Sequence, residues 1–168
     1  MLKKFFLSSV IFILLFSCTS KQENVKSDNS DIPIFTVAEF NMSAAKYVGK
    51  EVIVKGIADH ICKHGGKRLL LVSDNYDLHV DSDKRFNEDL VGKEIAVRGI
   101  VKELRIDEAY LLKMEEDNIQ KHKKGETNED FFAQKKKQIE EYRAEMKEKG
   151  VDHLSFYSLD YISHTLNK

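Results

Sequence analysis

Val48-Gly49-Lys50-Glu51-Val52-Ile53-Val54-Lys55-Gly56 returns 43 residues later as Val91-Gly92-Lys93-Glu94-Ile95-Ala96-Val97-Arg98-Gly99. Each copy opens on a glycine, a cation and an acid, runs through apolar and β-branched residues, and closes on a second glycine. Short apolar runs bounded by glycine read as strands, with a turn before and a bend or bulge after. Two copies are too few for a solenoid, which needs about three. They predict one solution used twice, as paired strands of a single small barrel.

Working outward, residues 69–72 (Leu-Leu-Leu-Val) form a buried strand, Asp74-Asn75 a turn and residues 76–80 a third strand. Residues 83–90 are too charged for a strand and read as a short helix or turn. Residues 95–101 make the fourth strand and residues 109–114 the fifth, after a hairpin near residues 105–108. Three strands, a helical connection and two strands is the order of the OB-fold, a five-stranded Greek-key barrel. Upstream, Thr36-Val37-Ala38-Glu39 has capping-box spacing. It predicts a helix over residues 37–47, stopped by Gly49 and plugging one end of the barrel.

Downstream, residues 118–127 are a polar, Lys-rich linker. A helix then starts at Glu129 and Asp130, turns Phe132, Ile139, Tyr142 and Met146 inward, and ends at Gly150. A second is expected from Ser155, with Phe156, Leu159, Ile162 and Leu166 on its inner face. The expected fold class is mainly β: a five-stranded OB-fold barrel (residues 32–117) with a short N-terminal helix and a C-terminal helical hairpin (residues 118–168).

The first residues read differently. Met1-Leu2-Lys3-Lys4 precedes an apolar run from Phe5 to Phe16. That run is shorter than the ~20 residues a spanning helix takes, and a basic start before a short apolar run describes a secretory signal over residues 1–17. Leu15-Phe16-Ser17-Cys18 resembles the lipobox of bacterial lipoproteins. The resemblance implies cleavage before Cys18 and diacylglyceryl modification of its sulfur, with acyl chains such as palmitate holding the protein to the membrane. Phe16 departs from the small or aliphatic residue usual there. Thr19 after the Cys, rather than Asp, implies the outer membrane of the cell envelope by the same resemblance. Residues 18–31 are too polar to order themselves and form a tether.

A wider resemblance rests on Gly49-Lys50-Glu51-Val52, on Cys62-Lys63-His64-Gly65-Gly66-Lys67 and on Arg105-Ile106-Asp107-Glu108-Ala109-Tyr110-Leu111. Through these, residues 36–116 resemble the tRNA-anticodon-like OB domains of bacterial lipoproteins and secreted proteins. That class implies a fold more than a function.

The candidate site is Asp59-His60-Ile61-Cys62-Lys63-His64-Gly65-Gly66-Lys67-Arg68. On a strand, His60, Cys62 and His64 project to one face. Imidazole and thiolate suit zinc, copper or iron. A straight strand sets His60 and His64 ~13 Å apart at Cα, too far to share one ion while Cys62 lies between. A curl at Gly65-Gly66 relieves this, and His79 supplies a fourth ligand; one transition metal, zinc foremost, is the cofactor this predicts. Lys63, Lys67 and Arg68 are candidate ligand-binding cations. An equal alternative makes Gly65-Gly66 a plain hairpin turn, with Cys62 a small core residue. In a third, the cations beside Cys62 favour a reactive thiolate.

Other functions have less support. Between Val48 and Asp117 acids outnumber bases, and the aromatics are Tyr76, Phe86 and Tyr110. A single-strand nucleic-acid groove needs positive charge and stacking platforms. The chain has neither a Gly-x-Ser-x-Gly elbow nor a Walker loop, so catalysis is unsupported. The expected function is a lipid-anchored binding module for a small ligand, or for a protein partner met through the C-terminal helices. The alternative is a metal-handling or metal-sensing lipoprotein.

Overall fold

The structure, a computed structural model, describes residues 32–166. The expected signal segment, Cys18 and the tether lie outside the described residues. Six strands and three helices follow in order. They are β1 (Ile34–Thr36), α1 (Val37–Ser43), β2 (Glu51–Ile61), β3 (Arg68–Ser73), β4 (Tyr76–Asp81), β5 (Glu94–Asp107), α2 (Glu108–Lys123), α3 (Glu129–Lys149) and β6 (His153–Leu166). Two 3-10 turns, Ala44–Tyr47 and Glu88–Leu90, precede β2 and β5.

The repeated nonapeptide builds the centre. β2 and β5 pair antiparallel with Val54 opposite Val97, so each copy lies on the other about a local dyad. The backbone bonds at the ends obey the same relation. Gly49 N donates to Val101 O at 2.9 Å, and Gly92 N to Ala58 O at 2.8 Å. Val101 N donates to Lys50 O at 3.0 Å, and Ala58 N to Lys93 O at 2.9 Å. The opening glycines adopt φ of 76° and 81°, a left-handed turn that glycine enters without steric cost. Glu51 of one copy pairs with Arg98 of the other.

The sheet runs β1-β2-β3-β4-β6-β5, and β5 returns to β2. The result is a closed five-stranded mixed barrel, with β1 an extra strand parallel to β2. The seam between β4 and β6 is parallel and short: Val80 opposite Leu159 and Asp81 opposite Asp160. This closure is compatible with an OB-like barrel. Val52, Val54, Leu69, Leu71, Val80, Ile95, Val97 and Leu159 fill the interior. α1 enters it from one end with Val37 and Phe40, while Asn41 Nδ2 donates to the Asp77 carbonyl of β4 at 3.1 Å.

Two expectations are corrected. Residues 109–114 are not the fifth strand: β5 continues to Asp107, whose side chain accepts from Tyr110 N at 2.9 Å and starts α2. Ala109, Leu111, Leu112, Lys113, Met114, Glu115 and Glu116 are good helix formers, and Leu111 is buried. α2 also runs through most of the expected linker.

The expected C-terminal helical hairpin is likewise wrong. Residues 155–166 are strand, paired with β5 from Asp107 opposite His153 to Ile95 opposite Leu166. The helical spacing of Phe156, Ile162 and Leu166 marks no buried face, since all three are exposed while Leu154 and Leu159 are buried. Tyr157, Tyr161, Ile162 and Thr165 favour a pleated strand over a helix. The two helices present, α2 and α3, are consecutive and lie between the fourth and fifth barrel strands. They share a second core of Ile106, Leu111, Ile139, Met146 and Leu154. Arg143 of α3 ties them by reaching Glu108 and Glu115.

The capping box at α1 is present as expected. Thr36 N donates to Glu39 Oε2 at 2.8 Å, and Glu39 N to Thr36 Oγ1 at 3.3 Å. The first of these bonds holds the Glu39 carboxyl below its ordinary 4.5. A depressed carboxylate stabilises the fold above its unfolded pKa and stops doing so as pH falls through the folded one. Glu39→Ala is therefore expected to lower the melting temperature at pH 6. The gap from the parent should close progressively below about pH 4.5 in melts recorded down to pH 3.

Candidate functional site

β3 carries Leu69, Leu70, Leu71 and Val72 in succession, and only alternate residues of a strand can face inward. Leu69 and Leu71 take the core. Leu70 is left half-buried on the outer face, opposite His60 of β2 on one side and His79 of β4 on the other. A register shift in β2 between Ala58 and His60 sets this row.

Beyond Ile61 the chain turns tightly. Cys62 N donates to Arg68 O and Gly66 N to Cys62 O, both at 2.8 Å, with Gly66 at φ 66°. The turn is pinned from behind by the segment after β4. Ser82 N donates to Lys67 O and Phe86 N to Gly66 O, each at 2.8 Å. Phe86 itself packs edge-on against Tyr161 of β6, with ring centroids 5.0 Å apart. The space a side chain at Gly66 would need is taken by the Arg85 guanidinium, 3.0 Å from an ideal Cβ. This segment fixes the turn against the barrel.

Turn and outer face together line an open cavity of about 480 Å³, within the range of small-ligand sites. Its apolar floor is Leu70; Ile61 also lines it, although its side chain packs against the main core opposite Leu69. His60, Cys62, His64 and His79, the four candidate ligands, all line it, as do Lys63 and Arg68. Lys67 does not; its carbonyl serves the turn instead. The sequence motif therefore does gather in one place, together with His79 from another strand.

The electrostatics are one-sided, because no acidic side chain lines the cavity. Two acids stand at its margin, each already engaged. Asp81 takes Arg68 Nε at 2.6 Å and Nη2 at 3.1 Å. That bond holds the guanidinium above its ordinary range. Asp59 Oδ2 lies 2.8 Å from His60 Nδ1. The side chains of Lys63, His64 and His79 have no hydrogen-bonding or ionic partner among the described residues.

Sharing a cavity is not the same as converging on a point. Among the described residues no three His, Cys, Asp or Glu groups come together in a way that could hold a metal ion. The expected metal ligands His60, Cys62, His64 and His79 thus share a cavity, with no three of them clustered. β3 lies between His60 and His79, which places their Cα atoms about 10 Å apart across two strand spacings. Cys62 and His64 belong to the turn rather than to a strand face.

Ile61, Leu70 and Arg85 were not singled out from sequence. The signal for Leu70 was there: four apolar residues in a row on a strand of a small barrel leave at least one outside. Nothing local points to Arg85, whose role depends on how the loop after β4 folds back.

No family model matches the chain, and no curated protein matches it.

Proposed function

We propose that the protein is a lipid-anchored binding module of the bacterial envelope, held by Cys18, with an OB-like barrel whose ligand site is the cavity beside the β2–β3 turn. The observation that carries this reading is the gathering of His60, Cys62, Lys63, His64, Arg68 and His79 around an apolar floor on the barrel's outer face. OB barrels use the corresponding strands and turn as their binding face. A site held on paired strands and a pinned turn is already shaped for its ligand, which lowers the cost of binding. A small ligand is favoured over a protein partner because the cavity is concave and of small-molecule size.

A ligand-observed NMR screen of small-molecule fragments tests this, with Leu70→Glu as the comparison. Leu70 faces outward, so the variant should keep its circular dichroism spectrum and cooperative melt. The hits found with the parent should vanish. Hits retained by a folded Leu70→Glu would place the site elsewhere. Added zinc is a useful second arm: it is expected to leave the melting temperature unchanged in the parent and in Cys62→Ser. A zinc-dependent rise lost in Cys62→Ser would favour a metal centre instead.

A further inference from the structure

We infer that the ligand of this cavity is a small amphipathic anion, a carboxylate or phosphate monoester on a short apolar body; the inference rests on the binding reading above. Charge and shape both point there. The floor is the outward aliphatic side chain of Leu70, which suits a short apolar body and gives a purely ionic ligand nothing to gain. Above the floor every ionisable side chain but Cys62 is a cation or an imidazole, and none is acidic. Desolvating a cationic ligand there would go uncompensated, because no carboxylate lines the cavity and those of Asp59 and Asp81 are already bonded to His60 and Arg68.

An anion finds donors without breaking anything. The Lys63 side chain, exposed in the turn, has no partner among the described residues; neither has that of His64, the next residue. Lys67 belongs to the same turn and the Arg85 guanidinium packs against it at Gly66, with Asp83 the acid of that packing segment. The outer sheet face and the turn are therefore complementary to the two ends of one molecule.

Isothermal titration with five probes tests the class: hexyl phosphate, hexanoate, hexanol, hexyltrimethylammonium and inorganic phosphate, hexanoate distinguishing carboxylate from phosphate. Hexyl phosphate or hexanoate is expected to bind roughly tenfold or more tightly than hexanol, and inorganic phosphate alone to bind far more weakly. Added salt should weaken the anions and not the alcohol. Lys63→Glu should cost the anions about tenfold and leave hexanol unchanged, a separation that general loss of structure cannot produce. Lys63→Gln should fall between. If hexanol or the alkylammonium binds as well as the anions, the anion inference is overturned while the site stands. If no alkyl probe binds at millimolar concentration, the inference and the binding reading fall together.

Discussion

Ending the chain after Gly150 is expected to abolish cooperative folding. β6 is the strand that closes the barrel, pairing with β5 along its whole length and completing the seam to β4. Its Leu159 is fully buried in the main core and its Leu154 is 6 % exposed in the second, so both cores lose a wall. The shortened protein would also present β5 as a long open edge, a template for aggregation. Leu159→Ala is the milder form of the same test. It should cost about 2–5 kcal/mol, a large part of the ~5–15 kcal/mol that holds a typical domain together. Urea denaturation and the dispersion of an amide NMR spectrum read both effects. A helical C-terminus would predict the opposite, a barrel that survives truncation with a native-like spectrum.

The second large effect is expected at the closing glycines of the repeat. A Cβ on Gly99 would sit 2.6 Å from the Asp160 carbonyl oxygen, and one on Gly56 2.8 Å from that of Val72. Both obstacles are backbone atoms of neighbouring strands and cannot swing aside. Gly56→Ala also meets Leu71 and Val37 side chains at 2.9 and 3.0 Å. Each substitution is expected to destabilise the protein by about 1–3 kcal/mol, the usual range for overpacking. Gly65→Ala is the control: nothing lies within 4 Å of its Cβ, and its stability should be unchanged. Equal effects at Gly99 and Gly65 in parallel urea titrations would contradict the packing of β6 against β5. Gly49 and Gly92 form a third class, with open space around them and positive φ, where alanine is strained by its backbone alone.

The repeat was legible because local chemistry is enough to specify it. A turn glycine, a short β-branched run and a close-approach glycine keep their meaning wherever the strands go. The capping box of α1 was legible for the same reason. β6 was not, because Phe156, Leu159, Ile162 and Leu166 happen to fit helical spacing, and the choice between a helix and a strand there is made by β5, far away in sequence. Residues 109–114 failed in the other direction: an apolar run of strand length is also the start of an amphipathic helix, and the Asp107 cap decides it. At the site, the identity of the cluster could be read from the spacing of His60, Cys62 and His64. Its geometry could not. Whether those side chains converge on an ion or ring a cavity depends on the intervening strand β3, which the motif itself does not contain.

Amide NMR spectra of the protein titrated with hexyl phosphate report where a ligand sits as well as whether it binds. A ligand seated beside the β2–β3 turn gives saturating shifts at Ile61, Cys62, Lys63, His64, Leu70 and His79, with the α2 and α3 amides unmoved. Saturating shifts confined to α2 and α3, or no shifts anywhere at millimolar probe, would contradict that placement.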